Sequence, residues 1–382
     1  MTDETLVVIG SGPAGVSAAR AYREAGGKGR VRLFSADPAL PYARPPLSKG
    51  FLRGESGEPD LALEGPGDDV ELSLDDRVTA LGEREIRTAS GAVHGFTQCV
   101  LATGAEPARP PVPGADHPEV RCLRSLSSSR ELRSAAEGAR SAVVVGAGFI
   151  GCEAAVSLAR LGLQVTVLCA DSVPQERRLG RDAGELILHW LEAEGASVLR
   201  GTRLDAVSEG HRVHTDLGPA LDTDVVLLAT GIRPRIALAE KAGLAVENGR
   251  VRTDEHLRTS RPDVYAAGDL AFAHNPAAGR ALAVEHWGEG LAMGEIAGRS
   301  AAGEDASWDA VPGFWSEIGD EVLKYAAWGD GFAAARPVSR DGGFTVWYER
   351  DGEAVGVLTH NADEDYERGS DLIRNHRPVP PR

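Results

Sequence analysis

The sequence is poor in cysteine and in long apolar runs, and each shortage excludes a class of protein. Only 4 of 382 residues are cysteine, with no Cys-x-x-Cys pair and no Cys/His cluster at metal-ligand spacing, so no metal site is expected. No apolar run approaches the roughly 18 residues needed to cross a bilayer, and no basic region precedes the first apolar segment. The sequence therefore predicts a cytoplasmic protein that does not bind membranes.

Basic residues are outnumbered, since 41 Lys and Arg face 57 Asp and Glu and leave a net charge of −16. An acidic surface repels phosphate backbones and anionic lipids, which disfavours nucleic acid and membrane as general partners. Charged residues make up 26% and hydrophobic residues 42%, a globular composition, and the length suggests two or three domains.

One long internal repeat organises the chain. Residues 6–16 and 142–152 each read as an apolar strand, a Gly-x-Gly-x-x-Gly turn and the start of an Ala-rich helix. A second apolar strand follows each helix, at residues 31–34 and 165–168. Each copy is therefore predicted to be a βαβ unit of a parallel sheet.

Further segments complete the predicted architecture. Residues 100–104 and 226–231 are apolar strands that both end in Ala-Thr-Gly, and residues 263–269 form another strand, ending in Gly-Asp, with a helix predicted over 285–298. Near the C-terminus, two apolar strands flank a turn containing Asp351-Gly352, which is a hairpin signature. We expect an α/β fold with two Rossmann-like dinucleotide-binding domains and a small α+β C-terminal domain. The predicted ranges are 1–112 with 236–305 for the first domain, 113–235 for the second and 306–382 for the third.

The two glycine-rich turns carry the strongest chemical signal. Such a turn lets the backbone approach a pyrophosphate, whose charge is stabilised by the amides and dipole of the following helix. A single copy is weak evidence, but two copies placed between strand and helix predict two dinucleotide sites.

Two features after the first unit have alternative interpretations. Asp37 follows the second strand, where a carboxylate can accept hydrogen bonds from ribose hydroxyls, yet the neighbouring Pro38 also suits a turn residue. The Pro-rich segment 40–49 presents Arg44 and Lys49, which suit a polyanionic cofactor, the alternative being a solvated surface loop.

With these motifs the sequence resembles a known family. Segments 41–49, 267–269, 284–287 and 314–316, together with both turns and both Ala-Thr-Gly strands, resemble the FAD-dependent ferredoxin reductases that serve Rieske oxygenases and cytochromes P450. Residues 314–319 and 355–358 resemble equally the related apoptosis-inducing-factor branch. The resemblance covers nearly the whole chain and implies the glutathione-reductase-like flavoprotein fold.

The resemblance also implies roles for individual residues. For FAD, the positions that match the family are Gly10, Gly12, Pro13, Ala14, Gly15, Arg44, Lys49, Val78, Thr103, Gly104, Asp269, Glu285, His286, Trp287 and Trp315. Within this set, Val78 would lie by the adenine and Asp269 would bond the ribityl chain. Residues 285–287 and Trp315 would line the flavin and nicotinamide side; ordinary core packing is the alternative for Trp315.

The second turn resembles the NAD(P)H domain of the family, with one departure. The matching positions are Gly146, Gly148, Phe149, Ile150, Gly151, Cys169 and Gly231. Cys169 stands where the family has the acidic ribose acceptor, and the next acidic residue, Asp171, lies two positions further along the chain. Arg177, Arg178 and Arg181 follow and could meet a 2′-phosphate, or form a solvated loop. NADH is the expected nucleotide and NADPH the alternative.

Glu153 matches a family glutamate that pairs with the lysine at position 49. Such a lysine can polarise the reactive edge of a flavin and orient the nicotinamide, so Lys49 and Glu153 are expected to support hydride transfer. The alternative for Glu153 is a glutamate stabilised by the N-terminal dipole of its helix.

The absence of cysteine between residues 37 and 52 disfavours a dithiol relay. The expected enzyme takes a hydride from NAD(P)H onto FAD and passes single electrons to a small iron-sulfur protein, a ferredoxin, serving an oxygenase or cytochrome P450. The alternative is a redox-sensing flavoprotein like apoptosis-inducing factor, with slow turnover. A monomer or a homodimer is expected.

Overall fold

The structure is a computed structural model that describes residues 4–381. Its helices are α1 (Pro13–Glu24), α2 (Gly50–Arg53), α3 (Leu126–Ala136), α4 (Phe149–Arg160), α5 (Glu176–Leu179), α6 (Arg181–Ala193), α7 (Ala237–Lys241), α8 (Trp287–Ala301) and α9 (Asp363–Arg374), with 3₁₀ turns at Pro45–Ser48 and Glu58–Leu61. Its strands are β1 (Thr5–Ile9), β2 (Arg30–Phe34), β3 (Glu71–Ser73), β4 (Val78–Leu81), β5 (Glu85–Thr88), β6 (Val93–Gly95), β7 (Gln98–Leu101), β8 (Ala105–Pro107), β9 (Arg121–Cys122), β10 (Ser141–Val145), β11 (Gln164–Cys169), β12 (Ser197–Arg200), β13 (Leu204–Ser208), β14 (Arg212–Thr215), β15 (Leu221–Asp222), β16 (Val225–Leu228), β17 (Ile232–Pro234), β18 (Val246–Glu247), β19 (Arg250–Thr253), β20 (Val264–Ala266), β21 (Ala271–Asn275), β22 (Arg280–Leu282), β23 (Gly313–Ile318), β24 (Glu321–Ala327), β25 (Ala334–Arg340), β26 (Gly343–Arg350) and β27 (Glu353–His360).

Two parallel sheets confirm the predicted α/β class. The first has the order β20-β7-β1-β2-β3, and the second has the order β12-β11-β10-β16-β9. In the first, Val8 pairs with Leu33 on one side and Val100 on the other. Central strands of parallel sheets are covered on both faces, which is why β1 and β10 are almost continuously apolar.

Helix α1 packs against α8 through glycines of α8. A Cβ on Gly294 would lie 2.2 Å from the carbonyl oxygen of Ala14, and one on Gly298 would lie 2.2 Å from that of Ala18. Only glycine permits this approach. Helix α8 begins at Trp287, two residues later than predicted, because the preceding His286 has an extended backbone.

The C-terminal region contains an antiparallel sheet in the order β23-β24-β27-β26-β25. The predicted hairpin joins β26 to β27, and Asp351 and Gly352 at its turn have φ of 53° and 85°. A two-residue hairpin turn of type I′ requires positive φ at both positions, so the Asp-Gly signature is confirmed. Helix α9 packs against β27, where a Cβ on Gly369 would lie 2.5 Å from Cγ1 of Val357.

The chain divides into two compact units, each built from three segments. The first unit holds residues 4–43, 62–106 and 234–314, and the second holds 44–61, 107–233 and 315–381. The first parallel sheet belongs to the first unit and the second parallel sheet to the second unit. The three-domain division expected from the sequence stays a prediction.

Along residues 4–381, no helix is long and apolar enough to span a membrane.

Candidate functional site

The first glycine-rich turn has no room for a side chain at its first and last glycines. Gly10 follows β1 with φ of 120°, and a Cβ on it would lie 2.1 Å from the carbonyl oxygen of Ala102. A Cβ on Gly15 would lie 1.8 Å from the carbonyl oxygen of Gly10. Both distances are well below van der Waals contact. The sequence motif is therefore a requirement of the backbone at this turn.

Helix α1 starts immediately after this turn with an open N-terminus. Gly12 is the N-cap and supplies no side-chain cap, Pro13 occupies the first turn, and no acidic residue lies there. Orphan amides and the positive end of the helix dipole attract an anion. This end of the first unit therefore fits a pyrophosphate.

Asp37 makes the turn contacts that were the alternative to ribose binding. Its carboxylate accepts hydrogen bonds from the Ala39 amide at 3.0 Å and from the Tyr42 hydroxyl at 2.8 Å. A carboxylate has about four acceptor positions, so these two bonds leave capacity for a ribose hydroxyl. The ribose role of Asp37 stays a prediction.

Three other predicted positions of the first unit have defined surroundings. The Thr103 hydroxyl donates to the carbonyl of Arg235 at 2.8 Å. Gly104 has φ of 62°, and a Cβ there would lie 3.9 Å from the carboxylate of Asp269. Val78 is buried in the hydrophobic core of this unit. The structure thus brings Gly104 and Asp269 together.

Asp269 and Glu285 share a partner that the sequence did not reveal. The buried Arg250 donates one hydrogen bond to the main-chain carbonyl of Asp269 and another to the carboxylate of Glu285. Next to Glu285, the His286 ring lies 4.5 Å from that of Phe314, measured between centroids. The residues next to Arg250 in the sequence do not indicate that it bonds Asp269 and Glu285, so sequence analysis missed it.

The second glycine-rich turn repeats the geometry of the first. Gly146 has φ of 108°, and a Cβ there would lie 2.5 Å from the carbonyl oxygen of Ala229. A Cβ on Gly151 would lie 2.0 Å from the carbonyl oxygen of Gly146. In both turns the first glycine meets the alanine of an Ala-Thr-Gly strand. The sequence repeat is therefore also a repeat of backbone packing.

Helix α4 also begins without a side-chain cap. Gly148 is its N-cap, Phe149 is its first residue, and its first turn contains no acidic residue. Ile150 in that turn is 38% exposed. Gly231, after the second Ala-Thr-Gly strand, has φ of 95° with open space around it. The second unit therefore also offers an anion site at a helix N-terminus.

The residues that follow β11 bear on nucleotide choice. The Cys169 side chain is buried, so it does not offer a polar group to a ligand. Asp171 is partly exposed and pairs with Nε of Arg177 at 3.1 Å. The Arg177 side chain is 79% exposed, so this ion pair contributes little and competes weakly with a ligand for the carboxylate.

Lys49 and Glu153 form a buried ion pair, as predicted from the resemblance. The lysine ammonium lies 2.7 Å from Oε2 of Glu153, and both side chains are less than 10% exposed. The Ser48 hydroxyl donates to the same oxygen at 2.5 Å, and the Ser316 hydroxyl donates to Oε1 at 2.7 Å. Burying such a pair is costly unless the remaining lone pairs are hydrogen-bonded, and the two serines meet that condition.

Lys49 also faces an aromatic ring. Its ammonium lies 4.9 Å from the ring centroid of Trp315, whose side chain is 48% exposed. A cation over an indole face is stabilised by the ring quadrupole. Arg44, the other cation of this segment, immediately precedes the 3₁₀ turn Pro45–Ser48. The exposure of Trp315 is unlike that of a core residue.

All four cysteines are unpaired thiols, and burial raises the pKa of each above its ordinary value. For Cys99 burial raises the pKa to about 12. Because the thiolate is the reactive form, these residues are unsuited to a thiol-disulfide relay. In the described range 4–381, no group of three or more His, Cys, Asp or Glu side chains could hold a metal ion.

Two strand-turn-helix units on two parallel sheets define the class of protein, an oxidoreductase fold with two dinucleotide-binding motifs. The sequence profile of the pyridine nucleotide-disulphide oxidoreductase family matches residues 4–294, and the chain belongs to this family.

Relatives within this family are similar over most of their length. The chain is 32% identical over 330 residues to rubredoxin-NAD(+) reductase of Pseudomonas putida, covering 84% of this chain and 85% of that protein. It is 35% identical over 323 residues to the ferredoxin-NAD(+) reductase component of the biphenyl dioxygenase system of Paraburkholderia xenovorans (strain LB400), covering 82% and 79%. The crystal structure of the ferredoxin reductase for the CYP199A2 system from Rhodopseudomonas palustris matches with a TM-score of 0.92 and 28% identity, covering 99% and 96%.

Proposed function

We propose that the protein is an FAD-dependent reductase that oxidises NADH and passes single electrons to a small iron-sulfur protein serving an oxygenase or cytochrome P450. The observation that carries this proposal is the pair of glycine-rich turns, each followed by a helix with an uncapped N-terminus. Relatives named as rubredoxin and ferredoxin reductases support the choice of acceptor.

In the first unit, the turn at residues 10–15 holds the pyrophosphate of FAD, with Asp37 on the ribose side and Asp269 on the ribityl side. When bound, FAD supplies the conversion between the two-electron chemistry of a nicotinamide and the one-electron chemistry of an iron-sulfur acceptor. The raised pKa values of the thiols support direct transfer to an external acceptor, because no cysteine is poised to carry electrons.

In the second unit, the turn at residues 146–151 holds the pyrophosphate of NADH. Lys49 presents a fixed positive charge that favours electron transfer from the nicotinamide, and Glu153 fixes the lysine ammonium in place. Ser48 and Ser316 each hold one oxygen of Glu153, and the carboxylate fixed in this way positions the lysine ammonium.

The protein acts in the cytoplasm. Four unpaired cysteines in one chain suit a reducing compartment, where thiols are kept from forming disulfides.

The first test is cofactor content. The purified protein should be yellow and carry one noncovalent FAD per chain, because the first unit supplies both the pyrophosphate turn and Asp269. Release of FAD by denaturation, quantified by absorbance, measures the ratio. A protein that stays colourless after incubation with FAD would refute the proposed function.

The second test is electron transfer. NADH oxidation should accelerate when rubredoxins or ferredoxins are added, with the iron-sulfur protein reduced one electron at a time. Failure with a broad panel, together with a reduced protein that persists for minutes in air, would favour the redox-sensing alternative.

Nucleotide preference has its own expected result. The native protein should prefer NADH, and Asp171→Ala should lower kcat/KM for NADH by roughly tenfold, the scale of one hydrogen bond to a charged group. Arg177→Ala should leave NADH turnover intact, because it frees Asp171 without removing it. Native preference for NADPH that disappears in Arg177→Ala would show that NADH is the wrong assignment.

A further inference from the structure

Arg250 is a cation in an unusual place. It begins β19 and is only 8% exposed, whereas Arg252 on the same strand has a side chain that is 66% exposed. A buried guanidinium is costly unless its N–H groups are satisfied. The hydrogen-bond partners of Arg250 must therefore offset the free-energy cost of burying its charge.

One partner, Asp269, is assigned to the flavin by the proposed function, and the other, Glu285, is among the positions that the family resemblance places on the flavin side. One N–H of Arg250 bonds the main-chain carbonyl of Asp269, in the turn between β20 and β21, and another bonds the Glu285 carboxylate, just before α8. The flat guanidinium has several donors in a fixed fork, so one side chain can fix both segments at once.

The first turn of α8 lies close to the first glycine-rich turn. A Cβ on Gly290, in the first turn of α8, would lie 3.1 Å from Cγ of Pro13. The turn after β20 approaches the same place, where a Cβ on Gly268 would lie 3.2 Å from Cβ of Ala14. The turn that contains Asp269 and the helix that follows Glu285 thus both border the proposed pyrophosphate site.

We propose that Arg250 is a positioning residue of the flavin site, which holds Asp269 and Glu285 in one arrangement and neutralises the Glu285 carboxylate. The inference rests on the proposed function, because FAD is the ligand concerned. Without the guanidinium, the Glu285 carboxylate, whose side chain is 42% exposed, would lose its ion pair. Its negative charge would then disfavour added electrons on a bound flavin, to an extent that solvent screening reduces.

The test compares Arg250→Met with Arg252→Met. Arg252 is a matched control because it lies on the same strand and pairs with Glu247 at the surface at 3.0 Å. Arg250→Met should raise the Kd of the apoprotein for FAD at least tenfold. It should also shift the two-electron equilibrium about tenfold against reduction, which is about 30 mV toward negative potential. Arg252→Met should change neither quantity by more than about twofold.

Two further variants separate positioning from stability. Arg250→Lys keeps the positive charge but loses the planar guanidinium with its paired N–H donors. Its flavin potential should therefore equal that of the wild type, while its affinity for FAD stays as weak as in Arg250→Met. Combining Arg250→Met with Glu285→Gln should also restore the potential, because the uncompensated carboxylate is gone. If Arg250→Met does not fold, Arg250→Lys and Glu285→Gln provide the same comparison, and Glu285→Gln alone should raise the potential.

An unchanged Kd and potential in Arg250→Met would overturn the inference, as would equal changes in Arg252→Met. With Arg250→Lys and Glu285→Gln as the only folded variants, an unchanged Kd in the first and an unchanged potential in the second would overturn it. In each case the proposed function would stand if the wild type still binds FAD and is reduced by NADH. A wild type that binds no FAD would instead remove the proposed function and this inference together.

Discussion

Replacing Gly15 by alanine is expected to abolish stable FAD binding. The new methyl group would lie 1.8 Å from the carbonyl oxygen of Gly10, and neither backbone segment can move without opening the turn. Overpacking of this kind costs about 1–3 kcal/mol, and the upper end of that range corresponds to about 100-fold in affinity. Titration of apoprotein with FAD, followed by flavin fluorescence, measures the change.

Two other glycines provide controls for this substitution. Gly65 lies in the same unit, and a Cβ added to it would have no atom within 4 Å. Gly65→Ala should therefore bind FAD with the wild-type affinity. Gly151→Ala makes the equivalent clash in the second turn, where a Cβ would lie 2.0 Å from the oxygen of Gly146. That variant should keep FAD, lose reduction by NADH and still be reduced by dithionite. FAD binding by Gly15→Ala at wild-type affinity would mean that the first turn is not the FAD site.

Replacing Lys49 by methionine is expected to slow reduction of the bound flavin by NADH about 100-fold, while FAD stays bound. This is the scale of losing one positioned group that stabilises developing charge. Methionine preserves the length and apolar contacts of the side chain but leaves Glu153 without its cation. Stopped-flow absorbance at saturating NADH measures the rate.

Lys324→Met is the matched control, because Lys324 pairs with Asp363 at 2.8 Å on the surface of the same unit. An exposed pair of this kind contributes little, so reduction should proceed at the wild-type rate. Glu153→Gln should slow reduction less than Lys49→Met, since the amide oxygen still accepts hydrogen bonds while the charge is lost. Equal rates for Lys49→Met and the wild type would exclude both residues from the reaction.

The parallel sheets could be predicted because their signals are local. A strand, a glycine-rich turn and a helix lie within about 30 residues of one another, and the second copy of the pattern repeats the first. The hairpin at Asp351-Gly352 is equally local, since its dipeptide determines the turn.

The partners of the charged residues could not be predicted in the same way. Ser316 reaches Glu153 across 163 sequence positions, and nothing near Ser316 marks it as a hydrogen-bond donor to a buried carboxylate. In the sequence, Arg250 is one arginine among several in a polar segment. Only its burial, in contact with two loops that are distant in sequence, distinguishes it from the others. Such contacts depend on how remote strands are brought together, which single-sequence patterns do not contain.

The discontinuous first unit has a consequence for biosynthesis. Its sheet needs β20, at Val264–Ala266, beside β7, and its helix α1 needs the glycines of α8, which are translated later still. The second parallel sheet uses only strands between Arg121 and Leu228. On the ribosome, the sheet with the second turn is thus complete while β7 still lacks its neighbour β20. Nascent chains should therefore complete the parallel sheet of the second turn before that of the first.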